Sequence, residues 1–206
     1  MEEKHGDWEN NRIFANKNQG AMAETRNRRL PVGIQSFEKI RKDGYLYVDK
    51  TDIIWRLANT DNTYNYLSRP RRFGKSLLIS TLEAYFQGKR ELFVGLAMEK
   101  LEKDWVKYPV LHLDLNTEKY DIPESLENKL NGALVEWEKM YGAESSGKSL
   151  AMRFEGIIKR ACRQEGQRVV ILVEEYDKPM LQAIGDDALQ KSFRNTLEAF
   201  YGALKS

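Results

Sequence analysis

The chain has 206 residues, a length that suits one domain or part of a larger one. It is 41% hydrophobic and 31% charged with a net charge of +2, so it can build a core and carries no global basic field of the kind that marks a nucleic-acid binder. Its single cysteine, Cys162, excludes an internal disulfide framework and fits a cytoplasmic setting, and with only His5 and His112 beside it no metal-ligand spacing arises.

Residues 1–29 are rich in Asn, Glu, Lys and Arg and show no periodicity, which predicts a disordered leader, with Met22 as a candidate alternative start. There is no apolar h-region for secretion and no run near the ~20 apolar residues of a membrane span. From Gly44 to Thr51, "GYLYVDKT" predicts a short strand and a turn. Thr51 or Asp52 is then placed to cap a helix carrying Ile53, Ile54, Trp55 and Leu57. "TYNYL", Thr63 to Leu67, is β-prone through its Thr and Tyr residues. After "SRPRRFGKS", Leu78, Leu82, Tyr85 and Phe86 fall on one helical face, with Gly88 suited to the stop.

Residues 91–105 predict a helical, charged surface bearing Leu92, Phe93, Leu96, Leu101 and Trp105. "YPVLHLDL", Tyr108 to Leu115, predicts a strand buried on both faces, as in a parallel sheet. Leu126, Leu130, Leu134, Trp137 and Tyr141 repeat at helical spacing behind Pro123, a residue tolerated in a first turn. Leu150, Phe154, Ile157, Ile158 and Ala161 mark another helix ending near Gly166. "RVVILVEEYDKP", Arg168 to Pro179, is the most hydrophobic strand and runs straight into carboxylates. Leu189, Phe193, Leu197, Phe200 and Leu204 form a last helix. The alternation predicts an α/β layer fold with a largely parallel sheet.

Two loops compete for a phosphate. Gly142, Gly147, Lys148 and Ser149 satisfy G-x-x-x-x-G-K-[ST] in full. A helix precedes that string, however, where the mechanism needs a strand to deliver the loop to a sheet edge. A glycine stop at Gly142 and a cap at Ser149 or Ser146 explain the same residues. With glycine near 7% of residues, a chain of this length shows the string by accident roughly once in a hundred. The loop at 69–76 has Arg69 in place of the first glycine. It nevertheless lies between a predicted strand and helix, so Gly74, Lys75 and Ser76 stand where backbone N–H groups and a helix dipole converge on an anion. Arg69, Arg71, Arg72 and Lys75 surround this loop with cations, and a solvated basic face is the plainer account of any such run. Glu174 and Glu175 end the hydrophobic strand, where open α/β sheets bind ligands. A Mg²⁺ ligand and a water-polarising carboxylate belong at that position.

"YVDKT", "SRPRRFGKSLLIST" and "VVILVEEYDKP", in that order, resemble the bacterial AAA-ATPase-like family. The resemblance covers residues 30–206. It implies a P-loop NTPase-type parallel sheet flanked by helices, incomplete at the C-terminus. Members of that family usually join this ATPase module to a C-terminal PD-(D/E)XK nuclease-like domain, so the chain is expected to be an N-terminal fragment. The resemblance further implies ATP and Mg²⁺ as ligands. In that reading Arg69, Pro70, Arg71, Arg72, Phe73, Gly74, Lys75 and Ser76 form the nucleotide loop, with Lys75 as its lysine. Ser76 and Glu174 would hold the metal, and Glu175 would be the catalytic glutamate, with Asp177 in the same motif. Asp49 would lie near the adenine. The family pattern reads Asp-Glu-Tyr-Asp, whereas this chain has the longer Glu174 first. Binding is expected to survive that change and hydrolysis to be impaired. Two alternatives stand beside this reading: a non-hydrolysing nucleotide switch, and nucleic-acid binding through Arg69, Arg71 and Arg72, in the full-length protein. No membrane partner is expected.

Overall fold

The computed structural model describes residues 29–68, 70, 73–116, 119–143 and 148–205. The predicted leader therefore lies outside the described residues, except for Arg29, whose guanidinium sits 4.9 Å over the Tyr45 ring. Among the described residues the sheet has two strands, β1 (Val110–Asp114) and β2 (Val170–Glu174), paired in parallel with Val110 opposite Val170 and Asp114 opposite Glu174. Parallel strands need a long crossover, and here two helices supply it. They are α5 (Pro123–Tyr141) and α6 (Leu150–Glu165).

Successive side chains of a strand point to opposite faces, and each face meets its own core. On one side Leu111, Leu113, Ile171 and Val173 pack against α5, α6 and α7 (Asp187–Gly202) through Leu130, Leu134, Phe154, Phe193 and Phe200. On the other side Val110, Val170 and Leu172 meet α1 (Phe37–Lys42), α2 (Thr51–Ala58) and α3 (Lys75–Phe86) through Phe37, Ile54, Leu82 and Tyr85. Each fully buried Leu or Phe contributes roughly 1.5–3 kcal/mol through lost water contact, so both cores clamp the sheet. The chain is mixed α/β: helices on both faces of a small parallel sheet.

Three expectations change. Residues 45–50 form no strand. Their turn is closed by Asp49, whose Oδ1 accepts from the Thr51 N–H at 2.9 Å and hydroxyl at 2.7 Å. Asp49 thus does the work expected of Thr51 or Asp52 at the start of α2. Residues 63–68 form neither helix nor strand and join no ladder among the described residues. β-propensity reports a fit to a half-buried surface, and here Tyr64, Tyr66 and Leu67 are exposed. Residues 91–105 are not a charged surface helix. They break into a 3₁₀ turn (Arg90–Phe93) and α4 (Ala97–Leu101), and Leu92, Phe93, Leu96 and Met98 are buried. Gly95 at φ +79° sits in the break.

Other elements follow the pattern of the sequence. Helix α3 buries Leu82 and Tyr85 and is followed by Gly88 at φ +68°, where a Cβ would meet the Trp105 carbonyl at 3.2 Å. Gly142 closes α5 and the Ser149 hydroxyl accepts from the Met152 N–H at 3.3 Å to start α6. A helix, and no strand, therefore leads into the complete G-x-x-x-x-G-K-S string, whose residues 144–147 lie outside the described residues.

Candidate functional site

Gly74 stands at φ +77°, ψ +22° as the N-cap of α3. A left-handed backbone is cheap for glycine and costs other residues about 1–2 kcal/mol. The turn thus explains the residue type. Helix α3 opens without an acidic residue of its own in its first turn, so any negative charge at its positive end comes from elsewhere in the fold. Lys75 and Ser76 are its first two residues.

Strand β2 brings the carboxylates to the same place. His112 is opposite Leu172 and Asp114 opposite Glu174, so His112 and Glu174 share the face covered by α3. Ser76 and Glu83 are seven residues apart on α3, two turns, and share a helix side. The result is a compact polar group inside apolar surroundings. Lys75 Nζ lies 3.2 Å from Glu175 Oε1. His112 Nδ1 lies 3.2 Å from Glu83 Oε2, and its Nε2 lies 3.3 Å from Glu174 Oε1. The second contact is an ion pair too poorly aligned to be a hydrogen bond.

The electrostatics follow from these contacts. Burial opposes charge on Glu174, yet His112, the Ser76 side chain and the Lys75 charge hold its carboxyl below the usual range. The Glu174 carboxylate, then that of Glu83, pushes the His112 imidazole up to about 9 against its own burial. Glu174 is thus an ionised carboxylate beside a hydroxyl, and His112 is a cation. Glu175 has φ +50°, a left-handed conformation unusual for glutamate. Such strain, of order 1–3 kcal/mol, persists where the surroundings over-determine it. Here the Lys178 N–H donates to the Glu175 carbonyl at 2.9 Å while Lys75 holds the side chain.

A cavity of about 720 Å³ opens beside this group. Residues 62–68 form one wall and residues 169–177 the other, with Lys75, Glu174 and Glu175 among its lining. Tyr176 donates its hydroxyl to the Tyr66 hydroxyl at 2.6 Å and so bridges the two walls, while Tyr64 donates to the carbonyl of Leu204, another lining residue, at 2.9 Å.

Of the residues expected at a site, Lys75, Ser76, Glu174 and Glu175 come together. Phe73 and Pro70 are exposed next to them. Arg69, Arg71 and Arg72 lie outside the described residues. Asp49 is engaged elsewhere: besides Thr51, it accepts from the Ala97 N–H at 2.7 Å. Sequence reasoning missed His112 and Glu83. The available signal was His112 itself, a polar residue alternating with buried Leu111 and Leu113 in an apolar strand.

The family model described as "Predicted AAA-ATPase" matches residues 31–206. The chain belongs to this AAA-ATPase-like family. Among curated proteins it is similar to one described as an uncharacterized protein in the vnfD 5′ region of Azotobacter chroococcum mcd 1. The two are 38% identical over 180 residues, which is 86% of this chain and 34% of that protein. The chain therefore spans about a third of that relative's length. No solved structure matches. Membership of the AAA-ATPase-like family suggests a nucleotide-binding, ATPase-like function, and none of the helices among the described residues is long and apolar enough to cross a membrane.

Proposed function

We propose that the chain is an ATP- and Mg²⁺-binding module with an ATPase-type centre, built where the start of α3 meets the end of β2. The observation that carries this reading is the meeting of Lys75 with Glu175 at 3.2 Å, next to Ser76 and Glu174. A cation, a hydroxyl and two carboxylates stand at a helix N-terminus entered through a left-handed glycine.

Each residue has a chemical part in this reading. Lys75 and the first backbone N–H groups of α3 attract and orient phosphate oxygens. Arg69, Arg71 and Arg72 precede these residues in the sequence and would add positive charge to the loop. Ser76 and Glu174 are two adjacent oxygen donors, which fits Mg²⁺, an ion that takes few protein ligands and the rest from water and phosphate. Among the described residues no group of three His, Cys, Asp or Glu is arranged to hold a metal by itself, so the nucleotide would supply the remaining ligands. When bound, the metal neutralises charge building up on the phosphates. Glu175 is the base that orients and accepts a proton from water. The complete string at 142–149 has no part, because Gly142 and Ser149 serve as helix stop and helix cap.

Titration calorimetry with ATP and Mg²⁺ tests the reading on wild type, Lys75→Ala and Lys148→Ala. Wild type and Lys148→Ala should bind alike, and Lys75→Ala should lose about 10–100-fold in affinity, the value of one charge-assisted contact of about 1.5–3 kcal/mol. Loss confined to Lys148→Ala would overturn the assignment.

A further inference from the structure

The imidazole of His112 joins three elements. It stands on β1, contacts Glu83 of α3 through Nδ1 at 3.2 Å, and contacts Glu174 at the end of β2 through Nε2 at 3.3 Å. The parallel register and the two-turn spacing of Ser76 and Glu83 on α3 make this bridge a consequence of the fold. Glu174 Oε1 is the oxygen that lies against the imidazole. The Glu174 side chain is also the most enclosed of the three, 13% exposed against 26% for His112 and 31% for Glu83.

We infer that His112 is a positioning residue for the cation site: braced against Glu83, it fixes the Glu174 carboxylate beside Ser76. The inference rests on the ATP- and Mg²⁺-binding reading given above. Its physical basis is the entropy of a flexible side chain. Glutamate has one more rotatable bond than aspartate, and an unrestrained Glu174 would present its oxygens over a wide arc. The ion pair with the imidazole narrows that arc, because it draws Oε1 to one side. Partners that orient a metal-binding carboxylate typically control about 10–100-fold in metal affinity. Glu83 supplies the counter-pull, since without it the imidazole could follow Glu174. The longer acidic residue at position 174 is thereby matched to a residue one strand away.

The test separates positioning from simple charge compensation of Glu83. ATP affinity is measured by titration calorimetry with Mg²⁺ and with EDTA, and stability by urea unfolding. The proteins are wild type, His112→Leu, and His112→Leu with Glu83→Leu. The readout is the ratio of the two ATP affinities. That ratio should fall about tenfold in the single variant. It should remain low in the double variant, whose urea midpoint recovers because an apolar pair replaces an unpaired carboxylate. A ratio within about twofold of wild type in either variant overturns the inference, because His112 would then only neutralise Glu83. If wild type binds ATP equally with and without Mg²⁺, the inference fails while nucleotide binding stands. If wild type binds no ATP, both fall.

Discussion

Lys75 Nζ stands 3.2 Å from Glu175 Oε1, and the two residues are a hundred positions apart in the chain. One opens α3 and the other follows β2, so the contact exists only because both sheet faces are clamped by helices. Their charges offset each other in the protein alone. In the proposed ATP-binding role a phosphate would compete with Glu175 for Lys75, and its binding would leave Glu175 free to act on water. The left-handed φ of +50° at Glu175 fits a residue held in place for such a task.

The glutamine variant of Glu175 should separate binding from turnover. Glu175→Gln removes the competitor for Lys75, and a partly exposed ion pair is worth about 0–1 kcal/mol. ATP affinity should stay level or rise by up to about fivefold. Turnover should fall about 10²–10⁴-fold, the usual contribution of a positioned base. Calorimetry and phosphate release on the same preparations check both. A variant that turns ATP over at the wild-type rate would remove Glu175 from the mechanism.

Ser76 and Ser149 each follow a glycine and a lysine, yet their surroundings assign them different work. Ser76 lies against Glu174, whereas Ser149 caps α6 through the Met152 N–H. Ser149→Ala should cost about 1 kcal/mol of stability, the worth of an N-cap, and leave Mg²⁺-dependent ATP affinity unchanged. Ser76→Ala should do the reverse, lowering that affinity about 10–100-fold with little effect on the unfolding midpoint. Urea unfolding and calorimetry in Mg²⁺ distinguish the pair, and the opposite pattern would return the nucleotide to the second loop.

Much of this was legible in the sequence, for local reasons. The apolar runs at 108–115 and 168–179 contain the two parallel strands. Gly142 and Ser149 end and start helices because glycine adopts φ +87° and serine accepts from its third neighbour. What was not legible depended on partners. Tyr64 and Tyr66 raise β-propensity, but a strand needs a neighbour, and β2 lies across a cavity from them. Leu92 and Phe93 sit in a charged stretch, and only the packing against Phe37, Tyr85 and Trp105 makes them core. His112 could be flagged as a polar residue in an apolar strand, but its contact with Glu83 needs the position of α3.

Core packing beneath the sheet should be costly to disturb. The Phe154 and Phe200 rings stack with centroids 4.4 Å apart and planes 4° from parallel, and Phe154 is 1% exposed. Phe154→Ala should destabilise the protein by about 3–5 kcal/mol, combining lost burial with a cavity. Because the stack is on the face opposite α3, ATP affinity of the folded fraction should not change. A urea midpoint close to wild type would show that the two helices do not depend on this contact.

The helix pair α5–α6 carries a pH-dependent contribution of definite sign. Arg153 donates from Nε to Glu138 Oε1 at 2.9 Å and from a terminal nitrogen to Oε2 at 2.7 Å, and both side chains are mostly buried. Arg153 outweighs burial and holds the Glu138 carboxyl below its ordinary value of 4.5. The unfolded chain therefore binds this proton more readily than the folded one. A group with a depressed folded pKa contributes stability that is present above its unfolded value and is lost as pH falls through the folded value. Glu138→Gln should thus cost about 1–3 kcal/mol at neutral pH, the range for hydrogen bonds to a charged group. The gap between variant and wild type should narrow below pH 4.5 and close in stronger acid. Urea unfolding of both proteins across this range measures the gap directly. A constant difference at all pH values would mean that the glutamine disturbs packing, and that the charge of Glu138 contributes nothing.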